Sequence, residues 1–197
     1  MDMVELAVRR RVLGLVVAAG VAVVAETVGW WSSRSGGLLV VAQALHHPLL
    51  FGLSALAALT AAAVLGVRNR VVRGLVLMTA ALMTLLALPF FLLGSGREVT
   101  MDKAAPHHSD RHLVVEEGAA MIDPLWWVYV DEGSGLTKRR WLVGYFNGDV
   151  ADNALVEASW AGPDRIRLIT GDEESRQVHV VGLTPGSGKP ERTVSQG

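Results

Sequence analysis

Long apolar runs dominate the first half of the chain. They cover residues 12–31, 48–67 and 74–94, and each is close to the ~20 helical residues that cross a bilayer core. A helix satisfies its own backbone hydrogen bonds, so these runs predict three transmembrane helices. Residues 38–46 are also largely apolar, but Pro48 favours a break before the second run. We expect this short segment at the membrane interface or as a tilted extension of the second helix.

The second half of the chain has a different period. Apolar and polar residues alternate there in short runs, and clusters of Gly, Pro, Asp and Asn separate the runs. The alternation predicts six strands, near residues 112–115, 126–131, 141–145, 156–160, 166–170 and 178–180. Short strands with such turns favour a small, mostly antiparallel β domain, either a meander or sandwich-like.

The predicted fold class is therefore an α+β membrane protein. Residues 1–96 form a three-helix transmembrane domain, residues 97–111 a polar linker, and residues 112–184 the β domain. The last segment, residues 185–197, is rich in Gly, Pro, Ser and charged residues and has little to bury. It is predicted to be a disordered tail.

The distribution of arginine predicts the orientation of the helices. Six arginines lie on one side, before the first helix or between the second and third: Arg9, Arg10, Arg11, Arg68, Arg70 and Arg73. The loop on the other side carries Arg34 alone. Since cytoplasmic loops carry the excess of basic residues, this predicts a multi-pass plasma-membrane protein with a cytoplasmic N-terminus and an extracytoplasmic C-terminal domain. Trp30 and Trp31 fit an aromatic belt at the outer end of the first helix. A signal peptide cleaved after Ala25 is the alternative, and it leaves the C-terminal domain outside as well.

Composition and charge limit the classes of partner that the chain can bind. From Arg97 onward the sequence contains sixteen acidic and eleven basic residues, so this half lacks the positively charged surface that nucleic-acid binding requires. The expected partners are membrane lipids and a membrane or envelope protein. The chain has no cysteine, which excludes disulfides, thiol catalysis and cysteine-ligated zinc. Abundant Ala, Val, Leu and Gly, with Arg far above Lys, are typical of a GC-rich, actinobacterium-like source.

The order of strand and turn residues carries a resemblance. In "ALVEASWAGPDRIRLIT" a strand that ends in Trp160 is followed by a turn at Gly162–Asp164 and then by the strand Ile166–Ile169. With "LVVEEG", "WWVYV" and "RRW" before it, this order resembles the outer domains of small bacterial membrane proteins and lipoproteins of unknown function. The resemblance implies an extracytoplasmic β domain and no catalytic residues.

One cluster has the residue types of a metal site. Its members are His107, His108, Asp110 and His112. Imidazole and carboxylate ligands this close could bind Zn²⁺, Cu²⁺ or Ni²⁺. The cluster nevertheless follows a proline in a predicted linker, where no further residues orient the ligands. A solvated, His-rich linker is the interpretation we favour, so no metal or other cofactor is expected.

Two further groups of residues are candidates for function. Glu26, His46 and His47 should lie at similar depth near the outer ends of the first two helices, where ionisable groups are costly. They either form a pair that senses protons or have no function beyond extending their polar groups to the membrane–water interface. Trp126 and Trp127 must point to opposite faces of a strand, so Trp126, Trp127 and Tyr129 are candidates for a binding surface. Burial of both tryptophans in a core is the alternative.

No catalytic signature occurs in the sequence. Ser134 lies in a Gly-Ser-Gly turn without the strand–turn–helix of a nucleophile elbow. Metalloprotease, phosphate-loop and dinucleotide fingerprints are all absent from the sequence. We therefore expect a non-enzymatic envelope protein that presents its β domain to a protein or cell-wall partner. The alternative is a sensor or accessory subunit of a membrane transport or respiratory complex, acting through the second helix.

Overall fold

The computed structural model describes residues 3–94, 96–120, 123–149, 151–172 and 175–196. The chain divides into two compact units. A helical unit contains Met1–Trp30 and Gln43–Leu92, and a β unit contains Trp31–Ala42 and Leu93–Gly197. The first part of the segment between the first two long helices, up to Ala42, therefore belongs to the β unit.

Four α-helices are described. They are α1 (Met3–Ser32), α2 (Leu39–Leu45), α3 (Pro48–Gly66) and α4 (Arg70–Gly94). Three of them contain segments long and apolar enough to cross a bilayer: Glu5–Ser32, Pro48–Gly66 and Arg70–Pro89. The three predicted helices are confirmed, and by length and composition they indicate a membrane protein.

Local sequence explains where these helices begin and how two of them meet. Pro48 occupies the first turn of α3, where its missing N–H costs nothing. At the start of α4 the Asn69 side chain accepts a hydrogen bond from the N–H of Val71 at 2.9 Å, as an N-cap residue does. Between helices, Ala19 of α1 and Ala55 of α3 are buried in one cluster. The small residues of α3 thus let it pack closely on α1.

The β unit contains two sheets. Their strands are β1 (Gly37–Leu38), β2 (Glu98–Ala105), β3 (His108–Ala120), β4 (Asp123–Glu132), β5 (Arg139–Asn147), β6 (Leu155–Gly162), β7 (Arg165–Thr170), β8 (Gln177–Gly182) and β9 (Val194–Gln196). The large sheet has the order β1-β5-β4-β3-β2, and β9 pairs in parallel with β5. The small sheet is the antiparallel meander β6-β7-β8.

The core lies between the two sheets. Its buried residues come from both: Leu113, Val115, Val128, Val130, Val143 and Phe146 from the large sheet, and Ala158, Ile166, Leu168 and Val181 from the small one. In β3, β4 and β7 every second residue of the central part faces this layer, as the alternation predicted. The mostly antiparallel, sandwich-like β domain is confirmed.

Two expectations about chain segments were wrong. Residues 97–111 are not a linker, because β2 and the start of β3 occupy them, joined by a turn in which His107 has φ +67°. Residues 38–46, whose position at the membrane interface stays a prediction, contain Leu38 of β1 and all of α2, and β1 pairs with β5. The tail is not disordered over its described part, since Gly188 and Pro190 are buried and β9 pairs with β5. The β domain is accordingly wider than residues 112–184.

The segments that form β1, β2 and β9 bury few apolar side chains. The burial of β2 is confined to Ala105 and half-buried Met101, because β2 is the last strand of its sheet. Strands β1 and β9 are two and three residues long. Backbone hydrogen bonds rather than apolar side chains hold such segments, so their composition looks like that of a linker or a tail.

Candidate functional site

The large sheet carries aromatic and arginine side chains on the face opposite the core. Trp126, Val128 and Val130 point towards the core, so Trp127 and Tyr129 lie on the other face. The register places Trp127 beside Tyr145 of β5 and Glu116 of β3. We call the surface formed by Arg97, Glu116, Trp127, Tyr129, Arg140 and Tyr145 the aromatic–arginine face.

Arg97 lies directly over this face. Its guanidinium carbon is 3.9 Å from the centroid of the Trp127 ring, and its Nη1 donates to the Tyr129 hydroxyl at 3.4 Å. The Trp127 and Tyr145 rings are tilted at 45° with centroids 5.7 Å apart. Cation–π and aromatic pairs of this geometry orient the side chains against one another.

Gly118 makes the close approach possible. A Cβ atom at this position would lie 3.0 Å from the Trp127 ring and 3.1 Å from the carbonyl oxygen of Gly96. The ring and the segment at Gly96 and Arg97 therefore meet over a residue that has no side chain. Any larger residue at Gly118 would push both away from the sheet.

Arg140 is held by carboxylates. Its Nε and Nη2 donate to the two oxygens of Asp131 at 2.7 and 3.0 Å, and its Nη1 donates to Glu116. Its guanidinium carbon lies 4.7 Å from the Tyr129 ring centroid. Burial alone would lower the pKa of Arg140, but the hydrogen bonds and charges of Asp131 and Glu116 outweigh it and raise the pKa. The charge of Arg140 is thus neutralised within the face.

Tyr129 is protonated at neutral pH. Burial raises its pKa, Glu116 adds to this effect, and the positive charges of Arg97 and Arg140 oppose it. Its oxygen serves as the acceptor for Arg97. The arrangement is suited to binding through ring stacking and charge–charge contact.

Trp126 borders a groove on the other side of β4. The groove has a volume of about 270 Å³ and is lined by apolar side chains from both sheets: Met101, Val115, Trp126, Leu155, Val156 and Ala158. It opens between β2 and β6, which are edge strands of their sheets. At one point the two edges are bridged, because Trp160 Nε1 donates to the carbonyl oxygen of Lys103 at 3.0 Å.

The predicted metal ligands do not assemble. His107 lies in the β2–β3 turn, and His112 Nδ1 is 2.6 Å from Asp102 Oδ1 on the neighbouring strand. Within the described part of the chain, no group of three or more His, Asp or Glu side chains could hold a metal ion. His112 Nε2 lies 3.1 Å from the carbonyl oxygen of Ser109, so both ring nitrogens of His112 have partners within the hairpin.

The polar residues of the helical unit do meet. Glu26 Oε1 lies 2.9 Å from His46 Nδ1, and Glu26 Oε2 accepts a hydrogen bond from the N–H of His47 at 3.0 Å. His47 is the N-cap residue of α3, where the helix dipole favours a carboxylate. A Cβ at Gly29 would lie 2.3 Å from the carbonyl carbon of Leu45, so Gly29 permits this contact.

The sequence analysis missed Arg111. Its side chain is fully buried, Nε donates to Glu132 Oε2 at 2.5 Å, and Nη1 donates to the Pro163 carbonyl at 3.1 Å and to Asp164. Burial would lower the pKa of Arg111, but these carboxylates raise it. A signal was present, because Arg111 has the same strand parity as the buried Leu113.

Comparison with protein-family models, with curated proteins and with solved structures gives no significant match. The function therefore has to be argued from the residues and geometry of this chain.

Proposed function

We propose that the protein is a non-enzymatic, membrane-anchored envelope protein. Its N-terminus is cytoplasmic, and its extracytoplasmic β unit binds a protein or cell-wall partner. The excess of arginine at residues 9–11 in the N-terminal part of α1 and at residues 68–73 where α4 begins supports this orientation.

The groove beside Trp126 is the observation that carries the proposal. It lies between two strand edges, and an extended peptide can add its backbone to such an edge while its side chains enter a pocket. Lys103 and Glu157 also line the groove and offer charged contacts at an otherwise apolar surface. This chemistry favours an extended polypeptide segment of a partner protein over a cell-wall polymer.

Photo-crosslinking in the full-length chain tests the proposal. Val156 lines the groove and is 49% exposed, and Val180 on β8 is 47% exposed, so a photo-reactive amino acid at each gives a matched pair. In cells of the source organism, position 156 should crosslink to one defined partner and position 180 should not. Equal crosslinking at both positions, or none at 156, would contradict a partner in the groove.

A second function is favoured by the contact between Glu26 and His46. An accessory subunit or sensor in a transport or respiratory complex would use such a pair near the end of a membrane helix. Ala58 of α3 packs on the internal cluster with α1, whereas Ala57 is exposed. Under this function Ala57→Leu should abolish co-purification with the complex while the helical unit stays folded. Unchanged co-purification would argue against assembly through this face of α3.

A further inference from the structure

The aromatic–arginine face begins where the last apolar helix ends. Helix α4 ends at Gly94, and Arg97 follows within about 10 Å of extended chain. Arg97 lies on Trp127, and the Gly96 carbonyl approaches Gly118 on the same face. In the sequence, a candidate membrane helix therefore ends three residues before Arg97, the first member of this surface.

A second arginine–tryptophan pair lies at the C-terminal end of α1, where Trp31 is in the last turn and Arg34 follows the helix. The guanidinium carbon of Arg34 is 5.6 Å from the ring centroid of Trp31, which is 68% exposed. If α1, α3 and α4 each cross the bilayer once, the C-terminal ends of α1 and α4 lie on the same side of it. Arg34 and Arg97 thus each follow a helix whose C-terminal end would lie at the same membrane surface.

The chemistry of both pairs suits the lipid headgroup layer. Tryptophan and tyrosine rings concentrate at membrane–water interfaces because they are apolar with one polar end. The guanidinium fork of arginine matches a phosphate, and its aliphatic stem lies along apolar surface. We propose that the aromatic–arginine face, together with Trp31 and Arg34, contacts phospholipid headgroups and that Arg97 binds a lipid phosphate.

The position of Arg97 favours a lipid headgroup over other ligands of the aromatic–arginine face. Arg140 already has Asp131 and Glu116 as partners, whereas the exposed Arg97 contacts a ring and a hydroxyl. Arg97 follows the last residue of α4 by three positions in the sequence, so it lies within reach of the headgroup layer if α4 spans the bilayer. The inference does not depend on the groove beside Trp126, which lies on the other side of β4.

Single-cysteine labelling of the full-length chain tests the inference, because the protein has no cysteine of its own. Ser195 pairs with Tyr145 and so shares the aromatic–arginine face, although it is far from Arg97 in sequence. Ser159 pairs with the exposed Arg167 on the outer face of the small sheet and provides the matched control. Each is changed to cysteine, labelled with an environment-sensitive fluorophore and reconstituted in phosphatidylcholine–phosphatidylglycerol vesicles that contain a headgroup-linked spin-label quencher.

We expect strong quenching of the label at position 195 and little at position 159. Arg97→Gln should reduce the quenching at 195, whereas Arg167→Gln on the opposite face should leave it unchanged. Arg97 is exposed, so its replacement should not unfold the domain, and near-ultraviolet circular dichroism verifies this. Equal quenching at both positions, or no effect of Arg97→Gln in a folded protein, would overturn the proposal. The crosslinking test at Val156 is independent of either result.

Discussion

Replacing Arg111 by methionine should destabilise the β unit strongly. The side chain is fully buried and joins β3 to Glu132 of β4 and to Asp164 in the turn between β6 and β7. It therefore links the two sheets. Methionine occupies a similar volume but leaves two carboxylates and the Pro163 carbonyl without their donor.

The burial of the Glu132 and Asp164 carboxylates determines how much stability the Arg111→Met change should cost. Removing one partner of a buried ion pair costs about 3–5 kcal/mol, because an uncompensated charge remains. The Glu132 side chain is 15% exposed, so most of that cost applies to it. The Asp164 side chain is 34% exposed, and solvent reduces its share to the ~1 kcal/mol or less of a surface pair. We expect a loss of about 3 kcal/mol in the free energy of unfolding.

Thermal unfolding of the full-length protein in detergent, followed by tryptophan fluorescence, measures this loss. For a domain of roughly 100 residues, 1 kcal/mol shifts Tm by about 4–8 °C, so Arg111→Met should lower it by about 12 °C or more. Arg167→Met changes an exposed arginine on the neighbouring sheet and serves as the control. Its cost should stay within about 0.5 kcal/mol.

A triple variant separates the unpaired charges from lost packing. Adding Glu132→Gln and Asp164→Asn to Arg111→Met removes the uncompensated charges and should recover part of the lost stability, because a neutral amide costs less to bury than a carboxylate. If the triple variant is no more stable than Arg111→Met, the cost comes from packing and the electrostatic reasoning fails. The same conclusion follows if Arg111→Met behaves like Arg167→Met.

Three further predictions follow from single contacts. Because Arg97 lowers the pKa of Tyr129, Arg97→Gln should raise that pKa further in an ultraviolet absorbance titration. The pKa of Tyr129 already lies above 10.0, so its contribution to stability is complete below about pH 10 and is lost as pH rises through the folded pKa. Gly29→Ala should destabilise the helical unit by about 1–3 kcal/mol through overpacking, whereas Gly52→Ala, with no atom within 4 Å, should not, as thermal denaturation in detergent would report. Asn69→Ala should cost about 1 kcal/mol through the lost N-cap of α4, which the same denaturation measures.

The sequence predicted the elements that burial specifies. Apolar runs long enough to cross a bilayer became α1, α3 and α4, and alternation at residues such as Val128 and Val130 became the inner face of β4. The missed strands β1, β2 and β9 bury few apolar side chains. Their pairing depends on backbone hydrogen bonds to strands far away in sequence, and no local pattern records those partners.

The candidate sites likewise differ in how far the sequence could predict them. The opposite orientation of Trp126 and Trp127 follows from strand alternation alone. The contact between Glu26 of α1 and His46, which lies just before α3, agrees with the similar depth expected for the two residues. The position of Arg97 over Trp127 required the register of β2, β3 and β4 and the missing side chain of Gly118. The spacing of residues in the sequence does not specify which residues pair across these three strands.

The position of β1 changes how the β unit can be studied. Gly37 and Leu38 pair with Arg140 and Arg139, so the segment between α1 and α3 supplies a strand to the large sheet. A fragment that starts at residue 97 would lack this strand and leave the N-terminal end of β5 without a partner on that side. If such a fragment failed to bind, the missing strand and the missing membrane anchor would both explain the failure. Full-length chains with matched single substitutions separate these effects, because every substitution keeps β1 in place.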